Sequence, residues 1–92
     1  MSPDERDLPA EADAALGQLT GGLAPAEAAM ALAVLANRTA ARLHALSRHE
    51  SAERKEQPEW PAWAQLQNAS RNLVLQASTC RDLAARLLGA KP

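Results

Sequence analysis

The sequence predicts an all-α fold: an antiparallel helical hairpin of two long helices plus a short N-terminal helix. Three observations predict it. Residues 26–57 run for 32 positions without Gly or Pro, and residues 62–88 do the same for 27. Pro58 and Pro61 stand between the two runs. Of 92 residues, 22 are Ala and 14 are Leu, with two Val and no Ile, Phe or Tyr. Ala and Leu lose little side-chain freedom in a helix, whereas sheets draw on β-branched and aromatic residues.

Residues 1–8 are polar and acidic and are expected to form a disordered tail, leaving 9–92 as one helical domain. The first helix is expected over about 9–19, with Pro9 in its first turn and Glu11 and Asp13 near the positive end of its dipole. Gly21 and Gly22 stop it, since Gly adopts the left-handed conformation of a helix end. The second helix is expected over about 25–54, with Pro25 at its first position. Its main apolar stripe is Ala28, Leu32, Leu35, Ala36, Thr39, Leu43 and Leu46, spaced by threes and fours. A weaker stripe of Met30, Val34, Ala41 and Ala45 lies on the other side.

The third helix is expected over about 61–88, Gly89 being the stop. It carries a heptad seam of Trp63, Leu66, Ser70, Leu73, Ala77, Cys80, Ala84 and Leu87. A short turn between antiparallel helices sets the register, so residues whose numbers sum to about 115 should face each other. Leu46 is then expected near Leu66 and Ser70, Leu43 near Leu73, Leu35 near Cys80, and Ala28 near Leu87. A core rich in Ala buries little surface, so a lone hairpin is marginal and a dimeric four-helix bundle is expected.

Charge divides along the chain. Residues 1–30 hold six acids and one base, and residues 31–92 hold nine bases and five acids, within a net charge of −1. This falls short of a nucleic-acid footprint, and no aromatics interleave with the bases to make a stacking platform. The acidic N-terminal segment, Asp4 to Asp13, is a candidate to fold back on the arginines. The segment Met1–Glu5 has no apolar stretch of a signal peptide, and one cysteine excludes an internal disulfide, so a cytoplasmic location is expected. No segment has the ~20 uncharged apolar residues that span a membrane.

Sites of chemistry are few. His44 and His49 are five apart and diverge by about 140° around a helix, too far to chelate one metal. Cys80, on the seam, is expected to be a small buried apolar residue. Glu50, Glu53 and Glu56 share the spacing of acidic metal-binding helices, but the third helix offers only Asp82 as a partner acid, at the far end; a solvated helix end explains the cluster. Glu50 and Arg54 are spaced to pair. Trp63 is expected to fill the open end of the hairpin, and Trp60 either staples the turn or serves as an anchor for a partner. No phosphate loop, nucleophile elbow or paired-cysteine motif occurs.

A hairpin with Trp at its turn resembles the small WXG100 proteins in architecture. Here the turn reads Trp60-Pro61-Ala62-Trp63 without their Trp-X-Gly, and the chain has no Tyr for their C-terminal motif. The functional expectation is a non-catalytic protein–protein interaction module (adaptor, assembly factor or small regulator) acting as a homodimer, without cofactor or metal. Met30, Val34, Ala41, Ala45, Trp60, Leu75, Arg38 and Arg42 are its expected partner-binding residues. Two alternatives are an anion- or nucleic-acid-binding regulator using Arg38, Arg42 and Arg71, and an all-α enzyme with an acidic metal site at a dimer interface near Glu50 and Glu53.

Overall fold

A computed structural model gives the fold and describes residues 6–90. Three helices follow in order: α1 (Leu8–Thr20), α2 (Pro25–Glu53) and α3 (Trp60–Gly89), with no strand among the described residues. Each boundary lies within a residue of the expected one. Most of the acidic tail expected over 1–8 falls outside the described residues. Its end is structured: Leu8 opens α1, and the Asp7 carboxylate accepts from the Ala10 amide at 3.1 Å, capping the helix.

Gly21 and Gly22 end α1 as expected. The Gly21 amide donates to the Gly17 carbonyl at 2.9 Å, and Gly22 has φ +81°, open to Gly without steric cost. Pro25 then begins α2, and the Glu27 carboxylate accepts from the Ala24 amide at 3.1 Å. At the other end of α2 the chain reverses through residues 54–59. The Trp60 indole N–H donates to the Ser51 carbonyl at 2.9 Å. That carbonyl lies in the last turn of α2, where acceptors lack helical partners, so Trp60 staples the turn. Arg54 completes the corner with Glu50 at 2.9 Å and Glu59 at 3.4 Å. The hydrogen bond and charge of Glu50 raise the Arg54 pKa above its ordinary value, and Glu59 adds a smaller push.

α2 and α3 pack along their length, and α1 packs on α2 but not on α3. The molecule measures 57 × 34 × 13 Å with a radius of gyration of 16.7 Å. A compact domain of this length would have about 12 Å. Its width exceeds the ~20 Å of two adjacent helices, so α1 reaches out beside the hairpin.

The seam between α2 and α3 corrects the sequence expectation. The buried residues are Ala33, Ala40, Ser47 and Ser51 on α2, and Ser70, Ala77 and Ala84 on α3. Apart from Ser51, they recur every seventh residue on each helix, and all are small. Short side chains let the backbones come close: the Ser47 and Ser70 hydroxyl oxygens lie 3.3 Å apart across the seam. That pair sits within two positions of the expected register. The large residues expected between the helices are displaced. Leu32, Leu35, Leu46, Leu73 and Leu87 are exposed, with Leu46 and Leu73 about half uncovered. Cys80, expected to be buried, is exposed as well. Leu32 and Leu46 stand one residue before a seam residue, and Leu73, Cys80 and Leu87 three residues after one; these offsets lie about 60–100° around the helix, which carries the side chains to the edge.

The two serines in the sevenfold seam, Ser47 and Ser70, are each hydrogen-bonded. Ser47 donates to the His44 carbonyl and Ser70 to the Gln67 carbonyl, each at 3.0 Å. His44 Nδ1 lies 3.1 Å from the Gln67 carbonyl and 3.3 Å from the Ser70 hydroxyl. A carbonyl only accepts, so the Nδ1-protonated tautomer fits. No buried side-chain nitrogen or oxygen among the described residues lacks a partner.

Candidate interaction surface

The tight seam gives the hairpin two unlike broad faces. On the first, Ala29, Leu32, Ala33 and Ala36 of α2 and Cys80, Leu83, Ala84 and Leu87 of α3 line an open apolar groove of about 400 Å³. Heptad spacing extends this face toward the turn. Leu46 lies two heptads after Leu32, Leu43 one heptad after Ala36, and Leu66 and Leu73 two heptads and one heptad before Cys80. Leu83 is half uncovered and Leu87 is 58% exposed. The face therefore runs the length of the hairpin, and Leu dominates it.

The second face is polar. The Asn37 side-chain amide donates to the Val74 carbonyl at 3.3 Å and to the Ser78 hydroxyl at 3.0 Å, tying α2 to α3. Its carbonyl oxygen accepts from Arg81 at 3.3 Å. Asn37, Arg38, Ala41, Arg42 and Arg81 line a polar depression of about 430 Å³. Together α2 and α3 carry six arginines (Arg38, Arg42, Arg48, Arg71, Arg81 and Arg86) against four acids, Glu27, Glu50, Glu53 and Asp82.

The eight residues expected to bind a partner do not form one surface. Arg38, Ala41 and Arg42 share the polar depression. Ala45 lines another hollow with Arg48, His49 and Ala52. Met30 and Val34 are half-buried, Trp60 is engaged at the turn, and Leu75 is 61% exposed on α3. The leucine-lined groove draws on Leu32, Cys80 and Leu87, which the sequence pattern places in the core. Its signal was present in the sequence: small residues at sevenfold spacing, Ala33-Ala40-Ser47 and Ser70-Ala77-Ala84, mark a seam that excludes its larger neighbours.

The other candidates are dispersed. The described ion pairs join Arg6 to Glu11 and Arg54 to Glu50 and Glu59, so Glu11 of the acidic N-terminal segment is paired with Arg6. Asp4 and Glu5 lie outside the described residues. Among the described residues, no three His, Cys, Asp or Glu side chains gather where they could hold a metal ion. None of the described helices is long and apolar enough to cross a membrane.

Fold and surface together define an all-α helical hairpin with one apolar and one arginine-bearing face. No family model, curated protein or solved structure matches the chain.

Proposed function

We propose that this chain is a non-catalytic protein–protein interaction module that works as a homodimer, two hairpins joining by their leucine faces into a four-helix bundle. The observation that carries the reading is the contrast between core and surface. The described core holds four alanines and three serines, while Leu32, Leu46, Leu73, Leu83 and Leu87 stay exposed along one face. Burial of a Leu side chain is worth about 1.5–3 kcal/mol, so the hairpin leaves its largest source of stability unused.

The size of the face supports a second copy as occupant. A 29-residue helix is about 43 Å long and two adjacent helices are about 20 Å wide, which makes a face on the order of 800 Å². A stable interface needs about 800 Å² from each partner. The elongated face matches another of its own length, and a two-fold axis makes the surface complementary to itself. This interface uses the leucine stripe in place of Met30, Val34, Ala41 and Ala45. As a dimer, the module presents its arginine faces and its two α1 arms outward.

The test is sedimentation equilibrium of the full chain and of the double variant Leu73→Glu/Leu87→Glu. The expected mass at micromolar concentration is twice the 9.8 kDa of one chain, falling toward one chain in the variant. A wild-type chain that is well folded and monomeric at those concentrations overturns the reading.

A further inference from the structure

We propose that Arg38, Arg42 and Arg81, with Asn37, form a binding site for a small phosphate-bearing anion. Three of the five residues lining the polar depression are cationic, and none is acidic. Of the other arginines, Arg6 is paired with Glu11 and Arg54 with Glu50 and Glu59, while Arg48, Arg71 and Arg86 have no ion pair among the described residues. Arg38, Arg42 and Arg81 form no such pair among the described residues. Three guanidinium groups around one hollow repel each other, and a bound anion relieves that repulsion.

The site is also organised. The Arg81 Nη1 donates to the Asn37 carbonyl oxygen at 3.3 Å. Asn37 is itself held by the Val74 carbonyl at 3.3 Å and the Ser78 hydroxyl at 3.0 Å. This chain of bonds fixes the fork of Arg81 from α3 beside Arg38 and Arg42, which stand one turn apart on α2. Part of the ordering needed for binding is thus already built into the packing of the hairpin.

The arrangement favours phosphate over carboxylate. A carboxylate offers two coplanar oxygens, which one guanidinium fork satisfies. A phosphate offers more terminal oxygens and up to two charges, suited to donors arriving from both helices. A depression of about 430 Å³ accommodates a mono- or diphosphate group. The site lies on the polar side of the hairpin, away from the leucine face, and does not depend on dimerisation.

The experiment is a titration of the full chain with inorganic pyrophosphate at low ionic strength, followed by NMR of the arginine Nε–H and asparagine side-chain amide signals. A saturable shift is expected at Arg38, Arg42, Arg81 and Asn37, with Arg86 unmoved. The exposed double variant Arg38→Gln/Arg42→Gln should weaken binding by roughly tenfold or more, since each charged hydrogen bond is worth at least about that factor. Circular dichroism of the variant should be unchanged. Non-saturating shifts, equal movement of Arg86, or unaltered binding in the variant would each overturn the proposal. A parallel titration with succinate that matches pyrophosphate removes the phosphate assignment. A short DNA duplex that binds at these residues while pyrophosphate does not replaces the small-anion site with a nucleic-acid surface.

Discussion

Replacing Ala40 with Leu tests the close seam most sharply among single substitutions. Ala40 is 0% exposed and Ala77, in register across the seam, is 4% exposed. Leu adds three heavy atoms where the neighbouring serine pair already brings side-chain oxygens to 3.3 Å. Overpacking of this kind costs about 1–3 kcal/mol, through forced rotamers and separation of the helices. The intrinsic helix preference of Leu differs from that of Ala by only a few tenths of a kcal/mol and does not account for such a loss. A chain of this length has a total stability of roughly 5–14 kcal/mol, so the change is a large fraction of it. Urea unfolding followed by circular dichroism reads it directly: with a slope near 1 kcal/mol/M, the midpoint falls by about 1–3 M. Thr39→Leu is the control. It adds Leu at the adjacent, exposed position on the leucine side and should leave the midpoint unchanged or raise it. Equal tolerance of Leu at both positions would refute the close small-residue seam.

Four further outcomes follow from the geometry. Trp60→Phe removes the indole donor to the Ser51 carbonyl and should lower stability by about 0.5–1.5 kcal/mol in the same unfolding assay. Gly22→Ala places a side chain at φ +81°, a left-handed conformation costing about 1–2 kcal/mol. Because α1 touches only α2, hydrogen exchange should quicken in α1 while the amides of the α2–α3 seam keep their protection. Cys80 lines the leucine groove, so its thiol should react with a soluble thiol reagent several-fold more slowly in wild type than in Leu73→Glu/Leu87→Glu; equal rates would argue that the groove stays open.

Helix positions were legible because Gly and Pro punctuate an otherwise uninterrupted Ala- and Leu-rich chain. The register followed from the shortness of the turn, and the Ser47–Ser70 pair lies close to it. What faced the seam was less legible. Amphipathic patterning assigns the largest apolar residues to the interface, which pointed to Leu32, Leu35, Leu43 and Leu46. Here close approach of the backbones favours the smallest residues, and the leucines move to the rim. In α3 the same heptad contains both sets: Ser70, Ala77 and Ala84 form the seam, while Leu73, Cys80 and Leu87 are exposed beside it. With 22 alanines in the chain, a sevenfold repeat of Ala hardly stands out from the background. The two serines in that repeat were the distinguishing mark. The arginine depression was partly legible in Arg38 and Arg42, one turn apart. Its third member, Arg81, arrives from the other helix through Asn37, a tertiary link that no local pattern encodes.

The central claim is that one hairpin is half of a fold and that a second copy completes it. The concentration dependence of unfolding tests this most directly. If dimerisation supplies the stability, the urea midpoint of the wild-type chain rises steadily as protein concentration increases over about two orders of magnitude, by mass action. Leu73→Glu/Leu87→Glu should show a lower midpoint with little such dependence. A wild-type midpoint that stays constant over that range, with a sharp cooperative transition, would contradict the account.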